Sequence, residues 1–351
     1  MYEISSLLSK DNKIEASMIS FFYNNYYLFE NKEKVTVIGF FAKRILLRSI
    51  NIRILTILND LITSAFLIFK KPNIVHETYY SHYVYKNSSS KYITTVHDMI
   101  WEKFPKFFKY SKVMIKAKKK SIDRSDHIVC VSENTKKDLM DIYSIDEKKI
   151  SVVYPGFFST SKIENKFKVK NRIIKDSYIL YVGLRGTYKN FLLFVRSFAK
   201  SNLKKKFKVV CFGGEHPSDE ENQIFEQNEI TDDIIFYSGS DEELANLYSY
   251  AEFLIFPSLY EGFGVPPLEA MYFGCPVICS NSSSLPEVVG DAAITFDPEN
   301  EIELKDKMEL LVNSKNLRKN LINNGKKRIE KFSWRNCANK NYEVYAKINN
   351  E

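Results

Sequence analysis

The chain has 351 residues, 44% hydrophobic and 14% aromatic, which is enough to bury the cores of two domains of ordinary size. Five cysteines with no C-x-x-C pair argue against a disulfide framework or a zinc cluster and for reduced, mostly buried thiols. The net charge of +8 lies wholly in the first 158 residues, but no helix-turn-helix, RRM, KH or zinc-finger pattern accompanies it, so nucleic acid is a poor fit.

The opening MYEISSLLSKDNK carries acids and lacks the apolar segment of a signal peptide. KVTVIGF reads as a strand. Residues 54–69, ILTILNDLITSAFLIF, are shorter than the roughly 20 that a bilayer needs and are interrupted by Asp60, so they read as a buried helix of a soluble protein. PNIVHETYY, YITTVHDMI, DHIVCVSENT and KISVVYPGF read as further strands with helical stretches between them. Within that region, residues 101–124 interleave nine Lys and Arg with Phe104, Phe107, Phe108, Met114 and Ile115. This is either a solvated helix face or a basic amphipathic helix drawn to anionic lipid.

Residues 159–177, polar and charged, read as a linker. Beyond it SYILYVG, KFKVVCFGG, DIIFYSG, EFLIFPS and CPVICS are short apolar strands alternating with the helices NFLLFVRSFAK, DEELANLYSYA and PLEAMYFG. That alternation predicts parallel βαβ units in a doubly wound sheet, with ligands at the C-terminal ends of the strands. The expected fold is therefore α/β, two Rossmann-like domains facing a cleft, over residues 1–160 and 175–332.

Three stretches carry chemistry. In LYEGFGVPPLEAM a strand delivers the chain to a loop with two glycines and then to a helix start near Pro267. Backbone N–H groups at a helix N-terminus attract anions, and Gly262 and Gly264 permit close approach of a ligand. Glu269, expected in the first helical turn, can accept hydrogen bonds from paired cis-hydroxyls, while Glu261 projects from the strand end on the other side of the bound group. In YVGLRGTYKN, Gly183 ends a strand, and Arg185 and Lys189 flank a turn suited to a diphosphate or are ordinary surface cations. In TVHDMIWEKFP, His97 follows a strand and either meets a substrate hydroxyl or is a structural residue capped by Asp98. D-x-D, G-x-x-x-x-G-K-[ST], H-E-x-x-H and G-x-S-x-G patterns are absent, so phosphate charge is expected to meet Arg, Lys and helix dipoles and no metal.

Taken together, YVGLRGTYKNF, FGGEHPSDEE, SDEELANLYSYAEFLIFPSLYEGFGVPPLEAM and GCPVICSNSSSLPEVVGDAAITFDP resemble the retaining GT-B glycosyltransferases of family 4, the group 1 enzymes of bacterial polysaccharide assembly. VHDMIWEKFP and FSWRNCANKNYEVY extend the likeness to nearly the whole chain, and Glu261 and Glu269 match the family's E-x7-E motif. The resemblance implies that Glu269 binds the ribose hydroxyls of a nucleotide-sugar donor. It implies that Glu261 and the N–H groups beyond Gly262 hold the sugar, as an orienting group and not a nucleophile. Arg185 and Lys189 take the diphosphate, and His97 reaches the sugar from the N-terminal half. Gly183, Gly214, Gly262, Phe263, Gly264 and Val265 complete the expected donor-binding set.

The resemblance further implies a GDP-sugar, with UDP-sugar as runner-up, no cofactor or metal, and a saccharide or lipid-linked saccharide acceptor. The expected location is the inner face of the cytoplasmic membrane, reached through the basic 101–124 helix. A final helix, about 333–351, is expected to pack back on the first domain. Relatives of this kind begin with a strand and a glycine-rich loop before a helix like Met1–Ser9. The first strand and that loop are expected to be missing here, which would leave an impaired nucleotide-sugar-binding protein as the alternative. A basic binding module without chemistry is a third reading.

Overall fold

The computed structural model describes residues 2–11, 13–23, 36–41, 52–82, 84–157 and 173–350. The chain divides into two units, Met1–Gly156 with Trp334–Glu351, and Phe157–Ser333. The segment read as a linker lies outside the described residues as far as position 172.

In the first unit β1 (Ser17–Tyr23) and β2 (Thr36–Phe41) form a parallel pair. β3 (Ile74–Glu77), β4 (Lys91–Val96), β5 (His127–Cys130) and β6 (Ile150–Val152) form a parallel sheet in that order. The Tyr2–Lys10 helix and the Trp334–Asn350 helix share one core: Ile4 and Leu8 join Cys337, Ala338, Val344, Tyr345 and Ile348 over Ile93, Val129 and Val153. The last helix of the chain thus closes the core of the first unit. His76, at the centre of β3, is tied to Tyr345 of that helix and to Thr95 of β4, each at 2.7 Å.

Two expectations for this unit are corrected. Residues 52–70 are not a buried helix: Ile57, Leu58, Leu61, Ile68 and Phe69 are exposed. The inward side is instead partly polar, because Asp60 accepts the His82 N–H (3.2 Å) and Ser64 accepts the Tyr85 N–H (2.9 Å), which pins the following loop. Nor is the basic 101–124 stretch one helix. A short Ile100–Lys103 helix is followed by a 3-10 turn at Pro105–Phe107, where proline lacks the N–H that would continue the ladder, and the Ser111–Arg124 helix starts afresh. Among the described residues, no helix is long and apolar enough to cross a membrane.

The second unit carries six parallel strands in the order β12-β11-β10-β7-β8-β9. They are β7 (Tyr178–Val182), β8 (Lys208–Phe212), β9 (Ile234–Tyr237), β10 (Leu254–Phe256), β11 (Val277–Ser280) and β12 (Ile294–Phe296). The chain lays down β7 to β9 in one direction, then returns across β7 to build β10 to β12 on its other side. The strands are short and apolar because both faces are covered. On one face Phe191, Phe194, Val195 and Phe198 pack over Ile179, Tyr181, Val209, Cys211, Ile255 and Ile278, each large side chain contributing about 1.5–3 kcal/mol of burial. Ser218 and Ser240 begin the Asp219–Gln227 and Asp241–Tyr250 helices with reciprocal capping boxes to Glu221 and Glu243. All five cysteines of the chain are buried and unbridged.

Candidate active site

In an open parallel sheet the crevice for a ligand forms where the strand order reverses. Here that point lies between β7 and β10, and the loops leaving their C-terminal ends are bound to each other. The Leu259 N–H donates to the Tyr188 carbonyl at 2.8 Å, and Lys189 Nζ donates to Glu261 Oε1 at 2.6 Å. Glu261 is only 8% exposed, and the Lys189 ammonium lies 5.1 Å from the centre of the Tyr188 ring and 5.5 Å from that of Phe256. Charges withdrawn from water this far need a partner, and each supplies the other's.

The Val265–Tyr272 helix begins at Gly264, whose φ of 100° suits glycine and where a side chain would come 2.7 Å from Leu285. Pro266 and Pro267 fill the opening turn, where the missing N–H costs nothing. Glu269 lies in the second turn, not the first as its spacing suggested. Its Oε2 accepts the Tyr248 hydroxyl at 2.8 Å. Burial raises its carboxyl above the usual range, the Tyr248 hydrogen bond works against that rise, and Asp241 adds to it. Tyr248, fully buried on the Asp241–Tyr250 helix, was not anticipated, since an aromatic in an amphipathic helix reads simply as core.

The other expected site residues divide. Gly262 is buried, and Val265 is exposed. Phe263 is buried edge-on against Phe332, with ring centres 5.4 Å apart. Gly183 turns the chain at φ 130° and Gly214 at φ 81°. Arg185 faces its own sheet. Its guanidinium meets Glu221 Oε1 at 2.9 Å, the Gly213 carbonyl at 3.3 Å and the Glu215 carbonyl, and stacks 4.6 Å from the Phe236 ring centre. A Cβ on Gly214 would come 2.9 Å from its Nη1, so arginine and glycine turn fit closely. Of the two cations in YVGLRGTYKN, Lys189 is the one bonded to Glu261.

His97, in the first unit, is exposed after β4. Its Nε2 lies 2.9 Å from the Thr78 carbonyl, which can only accept, so Nε2 carries a proton and Nδ1 is the nitrogen left facing outward from that bond. Asp98 does not cap it; Oδ1 accepts the Ile100 N–H at 3.0 Å and starts the next helix. Lys118 stabilises this turn from beneath. Fully buried, it donates to the Asp98 carbonyl (2.7 Å) and Glu102 (2.8 Å), between the Tyr80 and Trp101 rings.

Two parallel α/β units, the second with paired charges at its switch point, define a GT-B glycosyltransferase. The chain belongs to glycosyltransferase family 4: the family pattern described as "Glycosyl transferases group 1" matches residues 162–328 and that of "Glycosyltransferase Family 4" matches residues 11–157. It is 27% identical to O-antigen chain mannosyltransferase B of Escherichia coli over 72% of this chain and 69% of the relative. It is 30% identical to the O-antigen chain mannosyltransferase RfbU of Salmonella typhimurium over 59% of this chain, which spans 57% of that relative's length. Among solved structures, a glycosyltransferase from Rickettsia africae superposes with a TM-score of 0.69 at 19% identity, over 99% of this chain and 93% of that one.

Proposed function

We propose that this protein is a metal-independent, retaining hexosyltransferase that moves mannose from GDP-mannose to a saccharide or lipid-linked saccharide in surface polysaccharide synthesis. The observation that carries the reading is the Lys189–Glu261 pair on the two switch-point loops, followed eight residues along the chain by Glu269. In this reading the Glu269 carboxylate accepts the ribose hydroxyls. Lys189 exchanges its bond to Glu261 for one to a diphosphate oxygen, neutralising charge that grows as the nucleoside diphosphate departs. Glu261, released in the same exchange, orients sugar hydroxyls. Arg185 holds the Gly213–Glu215 turn, and His97 accepts a sugar hydroxyl at Nδ1. The acceptor hydroxyl attacks the anomeric carbon as the bond to the phosphate oxygen breaks, and its proton passes to that oxygen. Mannose as the sugar is supported by the relatives, which are named as mannosyltransferases.

Calorimetric titration of GDP, UDP and ADP and of their sugars, without added metal, tests the donor site. GDP and GDP-mannose bind selectively, Glu269→Ala weakens them on the order of 100-fold through loss of two charge-assisted hydrogen bonds, and Lys119→Ala leaves them unchanged. Binding indifferent to Glu269→Ala overturns the assignment. The proposal also places the protein at the inner face of the cytoplasmic membrane through its exposed basic residues between 101 and 124, which vesicle sedimentation tests.

A further inference from the structure

The loop that carries Glu261 runs from Pro257 to Gly264 and has no strand beside it to satisfy its backbone. Besides the Leu259 N–H bond to Tyr188, it takes partners from three consecutive serines in the loop after β11. Ser282 Oγ donates to the carbonyls of Leu259 (2.9 Å) and Ser258 (3.1 Å). Ser283 Oγ accepts the Glu261 N–H at 2.8 Å. Ser284 Oγ, fully buried, donates to the carbonyls of Glu261 (2.9 Å) and Phe263 (3.0 Å). Two hydroxyl protons, each shared between two carbonyls, and one accepting hydroxyl thus serve four carbonyls and one amide within six residues, in a loop whose buried backbone groups must find a partner somewhere.

Ser283 holds its place under strain. Its φ of 51° lies in the left-handed region, which glycine adopts freely and serine does not. A turn alone needs only glycine there; what serine adds is the hydroxyl on the Glu261 amide. Glu261 is consequently held at both ends, by Ser283 and Ser284 at its backbone and by Lys189 at its carboxylate.

We propose that Ser282, Ser283 and Ser284 form a clasp that positions Glu261 for the transferred sugar, with Ser283 as its register-setting member. They are positioning residues: they act through Glu261 and do not touch the reacting atoms. This inference rests on the donor-site reading above. It deepens that reading by separating sugar orientation, which depends on the clasp, from nucleotide capture, which depends on Glu269.

The strained φ makes the test clean. Ser283→Ala and Ser283→Gly both remove the hydroxyl, but alanine keeps the strain and glycine relieves it, so glycine melts about 2–4 °C above alanine. If the clasp positions Glu261, both variants lose kcat for GDP release from GDP-mannose on the order of tenfold, equally despite their different melting temperatures, while KM stays near the wild-type value. Amide hydrogen exchange over 258–264 accelerates in both. Activity that follows melting temperature, or a Ser283→Gly protein with wild-type kcat, overturns the proposal. Unchanged exchange at 258–264 overturns it as well. Exchange reports on the clasp whichever sugar nucleotide is the donor, and GDP binding with its loss in Glu269→Ala reports on the donor site. Failure of one is therefore distinct from failure of the other.

Discussion

Glu269 sits where its charge is resisted. Burial raises its carboxyl above the ordinary range although Tyr248 donates to it. Between the ordinary carboxylate range and the raised value, the folded chain keeps a proton that the unfolded chain has released. Stability therefore falls as pH rises through that window, and the loss persists at neutral pH. The proposed ribose binding needs the opposite state, since an ionised carboxylate can accept two hydroxyls and a protonated one competes as a donor. Glu269→Gln keeps an acceptor for Tyr248 and removes the charge. It is expected to melt above the wild type at pH 8, to converge with it in acid, and to bind GDP at least about tenfold more weakly. Wild-type GDP affinity rises with pH across the same window. A glutamine variant that melts lower at pH 8 than the wild type would sink this account of the site.

At the scale of elements, the contact that joins the final helix to the first sheet is also titratable. Burial pushes His76 down from its usual 6.5 to about 3, between Tyr345 and Thr95. Below pH 6.5 the unfolded chain takes up a proton that the folded chain refuses, so stability falls as pH falls, by about 1.4 kcal/mol per pH unit, until about pH 3. His76→Gln, which cannot titrate, is expected to lose less melting temperature between pH 7 and 5 than the wild type, whatever its starting stability. Parallel slopes would show that the ring is not the acid-sensitive element. The strands themselves were legible. SYILYVG, KFKVVCFGG and EFLIFPS are apolar on both faces and end in turn residues, a pattern local to each segment. SMISFFY (β1) and AITF around β12 went unread, because a short mixed run becomes a strand only through its neighbour. Glu261 and Glu269 were legible as a spacing, but the partners of Arg185 and Lys189 were not. Both are cations in one ten-residue stretch, and what separates them is Glu221, 36 residues from Arg185, and Glu261, 72 from Lys189. The serine run SNSSS was visible but silent, since nothing local says whose carbonyls it serves.

For the molecule as a whole, the charge excess in the first 158 residues reads differently once folded. Of the nine cations between 101 and 124, Lys118 is buried under the His97 turn, Arg124 is bound to Glu77, and Lys103 is paired with Asp138. Lys106, Lys109, Lys112, Lys116, Lys119 and Lys120 remain exposed, beside exposed Phe107, Tyr110 and Val113. Near an anionic leaflet each such lysine contributes about 1 kcal/mol, an attraction that salt screens within a Debye length. Lys112→Glu with Lys116→Glu reverses two of them without touching a buried group. The pair is expected to lower partitioning to phosphatidylserine-containing vesicles by roughly 30-fold or more, with melting temperature and GDP affinity unchanged. Lys118→Ala should do the reverse, loosening the His97 turn by leaving the buried Glu102 side chain with the Tyr143 hydroxyl but without its cation, while the surface potential stays nearly intact. If vesicle binding survives the double reversal, or is equal on uncharged phosphatidylcholine, the basic face is only a solvated surface.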